Sequence, residues 1–367
     1  MMSRYVFGLS AVLALSGLGT GLAEPPPVIR LGHFPNVTHA QAVLARATQA
    51  YEKELGGKIQ WATFNAGPSA VEALFAEAID ATYIGPNPTV NGYVKSGGKS
   101  FCVVAGSACG GAALVVRNDA PIERHTDFHN RTVATPQLGN TQDVAARAWF
   151  AKQGYRLKEK GGDLTLLSLA NPDQLLMFRK KQLDAAWTVE PWVSRLLLEG
   201  NGRVYLEERS LWPEGQYVTA HLIVSRKFLE KNPKTVKSLI RAHVAMTRQI
   251  AAEPSRIIEL LRGELKSETG KDLNPKVIEG AFSRVTFTWD PAERSLQRSA
   301  LDAYEAGFMK TKPDLAGLYD LRLLNEVLAE SGLPPVKTLQ SDTRNLKPIM
   351  VSRRGAEYDR KRRLEKR

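Results

Sequence analysis

Three short, uncharged stretches of the sequence each separate an apolar run from an amphipathic one. They read Phe34-Pro35-Asn36-Val37-Thr38, Asn65-Ala66-Gly67-Pro68-Ser69 and Gly85-Pro86-Asn87-Pro88, and a fourth, at 135–142, reads TPQLGNTQ. Amide and hydroxyl side chains at a helix start are suited to hold an anion, because the first N–H groups of a helix are unpaired and its dipole favours negative charge. Ser, Thr and Asn are also preferred N-cap residues, so each stretch taken alone is equally compatible with an ordinary cap.

A fifth stretch, Trp187-Thr188-Val189-Glu190-Pro191-Trp192, ends an apolar run in the middle of the chain. A tryptophan at a strand end beside a cleft could cover the apolar part of a ligand, but both tryptophans could equally be core residues. Glu190 also has two interpretations. It could cap the helix beside Pro191, where the dipole favours a carboxylate, or it could hold a cationic or hydrogen-donating end of a ligand.

The hydrophobic pattern predicts two alternating sets of strands and helices that position these stretches. In the first set we expect strands at 28–32, 59–64, 81–84 and 101–105, and helices at 39–55, 69–76 and 88–94. In the second set we expect strands at 131–134, 163–167 and 184–187, and helices at 141–153, 172–181 and 190–198. A strand at 218–225 leads into a helical remainder, where helix starts are marked by Pro233, Pro254, Pro275 and Pro291. Such alternation predicts an α/β fold with mainly parallel sheets.

The same pattern divides the chain into two lobes. We expect the first lobe to comprise 28–114 and, after the second lobe at 115–217, the return segment 218–343. The chain would cross between the lobes near 111–117 and again near 214–223, and two crossings make a natural hinge. In such sheets ligands bind beyond the carboxyl ends of the strands, where the polar stretches lie.

The N-terminus has the features of a secretory signal peptide. Arg4 supplies a positive charge, residues 5–18 are mostly apolar, and Gly21-Leu22-Ala23 provides the small residues of a cleavage site. The apolar run is short and interrupted by glycine, which argues against a membrane anchor. We therefore expect residues 1–23 to be removed near Ala23 and the mature protein to be exported.

The net charge of +12 is concentrated at the C-terminus. Residues 344–367 contain 10 Lys or Arg and 3 Asp or Glu, so they contribute +7 and leave +5 for the rest of the chain. We expect this segment to be a disordered basic tail, either simply solvated or in contact with anionic lipid or a partner. The rest of the chain lacks a basic stripe interleaved with aromatic residues, so we expect no nucleic-acid binding.

The cysteine and histidine residues do not by themselves indicate a functional site. Cys102 and Cys109 could pair in an oxidising compartment or could be two buried thiols. His125 and His129 have a spacing that a helix could use for a metal, but they fall in a stretch typical of an exposed turn. We therefore predict neither a metal nor a cofactor.

Five stretches taken together resemble a known family. LGHFPNVTHAQAV, FNAGPSAVEALFAEAIDATYIGPNP, VVAGSACGGAALVV, TPQLGNTQDVAARAW and AWTVEPW are similar, in spacing and order, to the aliphatic sulfonate, taurine and nitrate group of periplasmic solute-binding proteins. The resemblance runs from about residue 29 to about residue 242. It implies a two-lobed type II periplasmic binding-protein fold, with the ligand cleft between the lobes and a helical C-terminal region.

The resemblance also implies a set of ligand contacts on the polar stretches. Carried over by position, these are Asn36, Thr38, Gly67, Ser69, Asn87, Gly110, Gly111, Asn140, Thr141, Gln142, Trp187 and Glu190. The two cysteines and the long basic tail depart from the family pattern. Because members of this group bind different anions, the resemblance does not name the ligand.

The function that follows is that of a periplasmic, monomeric solute-binding component of an ABC importer. It would capture a small oxyanion and deliver it to a membrane-embedded permease powered by a cytoplasmic ATPase. The expected oxyanion is an aliphatic sulfonate or taurine. The alternative is a binding protein or an enzyme of vitamin-precursor metabolism on the same fold. An enzyme needs reactive groups in the cleft, and the sequence offers only Glu190 and His39.

Overall fold

The computed structural model describes residues 28–338. The predicted signal peptide at 1–23, its cleavage site near Ala23 and the basic tail at 344–367 lie outside the described residues. Among residues 28–338, no helix is long and apolar enough to span a bilayer.

The strands form two sheets. The six-stranded sheet has the order β11-β4-β10-β3-β1-β2, and the five-stranded sheet has the order β7-β6-β8-β5-β9. Their bounds are β1 Val28–His33, β2 Lys58–Thr63, β3 Ala81–Ile84, β4 Phe101–Gly110, β5 Ala112–Arg117, β6 Thr132–Thr135, β7 Thr165–Ser168, β8 Ala185–Val189, β9 Gly202–Glu207, β10 Val218–Ser225 and β11 Val285–Phe287. We call the six-stranded sheet with its helices the first lobe, and the five-stranded sheet with its helices the second lobe.

The expectation of mainly parallel sheets is wrong. Only β1 with β2 and β3, and β6 with β7 and β8, pair in parallel. Strand β10 runs antiparallel to both β3 and β4, and β5 runs antiparallel to both β8 and β9. The reason lies in the connection between lobes: β4 carries the chain out of the first lobe and β10 brings it back in the opposite direction, beside it. The first crossing falls at Gly111, between β4 and β5, and the second lies between β9 and β10.

Helices cover both sheets. They are α1 Ala40–Thr48, α2 Ala50–Leu55, α3 Gly67–Phe75, α4 Pro86–Lys95, α5 Thr141–Lys152, α6 Asn171–Arg179, α7 Trp192–Leu198, α8 Arg226–Lys231, α9 Pro233–Ala252, α10 Pro254–Thr269, α11 Pro275–Arg284, α12 Glu293–Glu305 and α13 Arg322–Glu330. Three of the four prolines predicted to start helices are the first residues of α9, α10 and α11. The helix expected at 39–55 is instead two helices, because Gln49 adopts a left-handed conformation with φ 54°.

Cys102 and Cys109 are buried free thiols, so the alternative in which they form a disulfide is wrong. Both residues lie on β4, which continues to Gly110 rather than ending at 105 as expected. Seven residues of extended strand span roughly 23 Å, whereas the Cα atoms of a disulfide lie at most about 7 Å apart. Burial raises the pKa of each thiol to about 12, so both stay protonated.

Candidate functional site

A cavity of about 260 Å³ lies between the two lobes. The first lobe contributes the residues that follow β1 and β2, together with the end of α10. The second lobe contributes the residues that follow β7 and β8. The lining residues are Pro35, Asn36, Thr63, Phe64, Asn65, Asn171, Pro172, Pro191, Trp192, Arg195, Leu265, Glu268, Thr269, Lys271 and Leu273. The cavity therefore occupies the edge of the sheets where an α/β protein binds its ligands.

Asn36 presents an amide donor to this cavity from the first lobe. Its Oδ1 accepts a hydrogen bond of 3.2 Å from Nε1 of Trp192 in the second lobe. An indole N–H can only donate, so this contact identifies the carboxamide oxygen and directs Nδ2 the other way. Within residues 28–338, Nδ2 of Asn36 donates to no protein acceptor, which leaves it for a ligand.

Asn171 presents an amide donor to the cavity from the second lobe. It is the first residue of α6, it is buried, and its Oδ1 accepts a hydrogen bond of 2.8 Å from Oγ1 of Thr188. Its Nδ2 likewise donates to no acceptor in the described part of the chain. Asn171 was not predicted as a site residue, although Ala170-Asn171-Pro172 is an uncharged strand-to-helix stretch of the same kind as the others.

Aromatic side chains from both lobes border the same space. Phe64 follows β2 and Trp192 begins α7, and each is half-buried. The guanidinium of Arg195 lies 4.7 Å from the centre of the Trp192 ring, so the ring is held both by this contact and by its bond to Asn36. Arg195 makes two 2.9 Å hydrogen bonds to Glu199, which neutralises its charge.

A buried charged cluster supports the wall formed by α10. Nε2 of His33, the last residue of β1, lies 2.9 Å from Oε1 of Glu268, and Nη1 of Arg46 lies 3.5 Å from the same oxygen. The side chains of His33 and Glu268 are both buried. The Glu268 carboxylate is thus engaged on the protein side of the wall. This cluster could not be predicted from the sequence, because its members come from β1, α1 and α10.

The starts of α4 and α5, where we expected ligand contacts, lie against each other and do not line the cavity. A Cβ atom at Gly85 would lie 2.4 Å from Oγ1 of Thr141, so the starts of the two helices touch across the lobes. That hydroxyl is buried without a hydrogen-bond partner among the described residues. Asn87 donates through Nδ2 to the carbonyl of Ser299 at 3.0 Å, and Asn140 donates to Gln142 at 3.4 Å.

Two residues of the α3 start also lie apart from the cavity lining. A Cβ at Gly67 would meet Cγ of Pro88 at 2.3 Å, so this glycine allows α3 and α4 to pack closely. Ser69 is exposed.

His39 lies below the loop that follows β1. Its Nδ1 accepts a hydrogen bond from the backbone N–H of Phe34 at 3.2 Å, and burial lowers the pKa of His39 to about 3. His39 is therefore neutral and supports the loop that carries Asn36.

Trp187 lies in the core of the second lobe. It is fully buried, and its Nε1 donates to Oε2 of Glu208 at 2.7 Å. Trp187 does not line the cavity and has the position of a core residue, the alternative that the sequence left open, because its side chain points into the lobe from the middle of β8. The tryptophan that reaches the cavity is Trp192.

Glu190 occupies the position expected of a helix-terminal acceptor. Its two carboxylate oxygens accept 3.0 Å hydrogen bonds from the backbone N–H and the hydroxyl of Ser194, in the first turn of α7. Burial raises the pKa of Glu190 to about 7, although these bonds and the positive charge of Arg284 act in the opposite direction. The geometry supports the capping interpretation rather than contact with a ligand amine.

Gly111, at the first crossing between the lobes, lies beside both Glu190 and the first lobe. Gly110 and Gly111 both have positive φ angles, of 78° and 79°, which glycine adopts at little cost. A Cβ at Gly111 would lie 2.6 Å from Val285 and 3.5 Å from a methyl group of Thr38, so these predicted contact residues form the hinge side of the lobe interface. Thr38 and both glycines lie outside the cavity lining.

Comparison with known proteins agrees with this architecture. A sequence model of the NMT1-like family matches residues 22–259. The taurine-binding periplasmic protein of Escherichia coli (strain K12) is 23% identical over 251 residues, which cover 66% of this chain and 75% of that protein. A putative aliphatic sulfonates-binding protein of the same strain is 24% identical over 234 residues, covering 63% of this chain and 70% of that protein.

Solved structures share the fold. The alkanesulfonate-binding protein SsuA from Xanthomonas axonopodis pv. citri, bound to MOPS, matches with a TM-score of 0.68 at 20% identity, covering 82% of this chain and all of that one. The periplasmic nitrate-binding protein NrtA from Synechocystis PCC 6803 matches with a TM-score of 0.71 at 16% identity, covering 85% and 90%. The two-lobed fold is therefore that of the periplasmic binding proteins, and the chain, matched by the family model over well more than half its length, belongs to the NMT1-like family.

Proposed function

We propose that this protein is the extracytoplasmic solute-binding component of an ABC importer. It captures a small oxyanion, an aliphatic sulfonate or taurine, and delivers it to a membrane-embedded permease. We further propose that it acts as a monomer in the periplasm, after removal of the signal peptide near Ala23. Relatives whose names state taurine or sulfonate binding support the ligand class, as does a structural neighbour named as nitrate-binding.

One observation carries the proposal: Asn36 and Asn171 line the same cavity from opposite lobes, and each has its carboxamide oxygen bonded within the protein, which leaves its amide donor for a ligand. An anion that accepts from both would hold the lobes together. A hydrogen bond to a charged partner contributes about 1.5–3 kcal/mol. Neutral donors also suit a ligand that must be released, since they leave no unpaired buried charge in the empty site.

The described reactive groups favour binding over catalysis. The thiols of Cys102 and Cys109 lie on β4 with pKa values raised to about 12, and His39 is kept neutral by burial. The Glu190 carboxylate is occupied by Ser194 and Arg284. An enzyme of vitamin-precursor metabolism on this fold is the alternative, and it would require one of these groups to reach a substrate.

A ligand screen tests the proposal. The mature protein is mixed with ethanesulfonate, taurine, nitrate, sulfate, an alkylphosphonate and a pyrimidine vitamin precursor, and the melting temperature is measured for each. A ligand that binds only the native state raises the melting temperature through mass action. We expect the sulfonates to give the largest increase. An increase with the pyrimidine alone would favour the alternative function.

A further inference from the structure

We propose that the ligand of this cavity is an organosulfonate with an apolar body about the size of a six-membered ring, its sulfonate group between Asn36 and Asn171. This inference rests on the proposed function and narrows its ligand class. It separates ring-sized sulfonates, saturated or aromatic, from the two-carbon sulfonates.

The volume of the cavity is the first argument. It measures about 260 Å³. An apolar cavity of about 150 Å³ is large enough to bind benzene, so a ring would fit here and leave space for a sulfonate head. A two-carbon body has too few atoms to fill the same space. Water would have to occupy the remainder, and the walls would lose the van der Waals contacts that a close-fitting ligand makes.

The chemistry of the cavity walls also favours an apolar ligand body. Carbon surfaces enclose the cavity from both lobes, contributed by Pro35, Phe64, Leu265 and Leu273 of the first lobe and by Pro172, Pro191 and Trp192 of the second. The Trp192 ring is fixed by its bond to Asn36 and by the Arg195 guanidinium. The Arg195 guanidinium holds the Trp192 ring within the second lobe, so this wall loses little freedom when the ligand arrives, which favours a ligand with an apolar body.

The described lining residues that carry charge offer no free acceptor for an ammonium group. Glu268 is the acidic residue of the lining, and its carboxylate already contacts His33 at 2.9 Å and Arg46 at 3.5 Å. The two basic lining residues differ: Arg195 is paired with Glu199, and Lys271 is exposed at the rim. An amine at the far end of the ligand would therefore lose its hydration without gaining a carboxylate, whereas a ring would not.

Calorimetry on the wild-type protein with four sulfonates tests the inference: taurine, ethanesulfonate, cyclohexanesulfonate and benzenesulfonate. Each buried methylene adds about 0.8 kcal/mol, or roughly fourfold in affinity. We therefore expect both ring sulfonates to bind at least tenfold more tightly than ethanesulfonate and taurine. Equal or tighter binding of taurine would overturn the inference and leave the proposed function intact. Failure of all four sulfonates to bind would overturn both.

A pair of variants tests the wall itself. Phe64→Ala removes an aromatic side chain that borders the cavity. Phe75→Ala is the matched control, because Phe75 is half-buried against the same hydrophobic cluster but does not line the cavity. We expect Phe64→Ala to reduce the preference for cyclohexanesulfonate over ethanesulfonate by at least threefold, and Phe75→Ala to leave the ratio unchanged. An unchanged ratio in both variants would overturn the inference. Because the readout is a ratio of two ligands on one protein, a general loss of stability does not mimic it.

Discussion

Asn36 and Asn171 show how an uncharged amide side chain can become a specific binding group. Each carboxamide has its oxygen bonded within the protein, at 3.2 Å to Trp192 and at 2.8 Å to Thr188. The Asn171 donor is therefore oriented within the second lobe before any ligand enters, and the Asn36 donor is oriented when the lobes close. Preorganised donors bind more tightly than mobile ones, because less rotamer freedom is lost on binding.

Exchanging the donor for an acceptor gives the sharpest test of this arrangement. Asn171→Asp replaces the Nδ2 donor by a charged oxygen of the same size, so we expect a loss of at least a hundredfold in sulfonate affinity, through repulsion and the lost bond. Asn171→Ala should cost about tenfold, the lower end for a hydrogen bond to a charged group. Affinities are measured by calorimetry.

Asn118→Asp is the control for the added charge, because Asn118 is exposed and bonds to Asn201 outside the cavity. It should bind the sulfonate as the wild type does. If Asn171→Asp did so too, the ligand would not lie between the two asparagines.

Glu190 illustrates the opposite case, a carboxylate whose burial makes it titrate near neutrality. Its pKa rises from 4.5 to about 7. Between these values the native state holds the proton more tightly than the unfolded chain. The stability contributed by Glu190 is therefore present at low pH and is lost as the pH rises from 4.5 towards 7 and beyond. The guanidinium of Arg284 lies 3.3 Å from the Glu190 carboxylate and 3.0 Å from that of Glu207.

Glu190→Gln should remove this pH dependence, since glutamine resembles the protonated acid and can still accept from Ser194. We expect the variant and the wild type to be equally stable at pH 4, and the variant to be more stable by about 1–3 kcal/mol at pH 8. Urea unfolding at four pH values measures the difference. Taking the difference cancels the buried histidines, whose lowered pKa values shift stability in both proteins alike. A difference that does not vary with pH would mean that Glu190 titrates near its usual value.

At the scale of elements, the sequence predicts the strand-to-helix stretches but not which of them share a cavity. Hydrophobic periodicity located eight of the eleven described strands and the helices between them, but it missed β5, β9 and β11. It missed Asn171, since the helix was expected to begin at 172, one residue too late. It could not choose between Trp187 and Trp192, because that choice depends on where β8 ends and α7 turns away. The antiparallel return of β10 beside β4 was missed because strand direction is set by long-range pairing.

A bridge between elements of the two lobes was also invisible in the sequence. Arg284, the last residue of α11, lies with Nε 3.0 Å from Glu207 and Nη1 3.3 Å from Glu190. Its backbone carbonyl also accepts from Arg209 at 2.6 Å. These contacts join α11 of the first lobe to the ends of β8 and β9 and to the segment that follows β9.

Removing this bridge should favour opening of the lobes. We expect Arg284→Met to release a bound sulfonate about three to ten times faster than the wild type, because the closed form loses an ion pair that the ligand does not supply. Stopped-flow measurement of ligand dissociation gives the rate. Arg241→Met is the control, since Arg241 is also partly exposed but pairs with Glu54 and Glu330 inside the first lobe, away from the cavity. Equal release rates in both variants would show that Arg284 does not contribute to closure.

At the scale of the whole molecule, the two lobes touch at several separate points. Trp192 bonds to Asn36 beside the cavity, and Lys152 on α5 lies 2.8 Å from Asp302 on α12. Between these contacts, Thr141 packs against Gly85. This is a closed arrangement, and a binding protein must also open to take up and release its ligand.

The contact between Gly85 and Thr141 allows closure to be manipulated without touching the cavity. Gly85 has φ −75°, so an alanine there is unstrained within its own lobe, but its Cβ would lie 2.4 Å from Oγ1 of Thr141. Either Thr141 must rotate or the lobes must part. We expect Gly85→Ala to bind a sulfonate about five to ten times more weakly and to show a larger radius of gyration with ligand in small-angle scattering.

The double variant Gly85→Ala, Thr141→Ala should restore both quantities. Without Oγ1, the nearest atoms to the new methyl group are the carbonyl oxygen of Thr219 at 3.5 Å and Cβ of residue 141 at 3.6 Å, which are ordinary contacts. Thr141→Ala alone should bind at least as well as the wild type, because it removes a buried hydroxyl that has no partner among the described residues. A loss of tenfold or more in that single variant would instead assign Thr141 to the ligand, as the family resemblance implies. Failure of the double variant to recover would mean that the alanine at position 85 acts on the ligand rather than on the approach of the lobes.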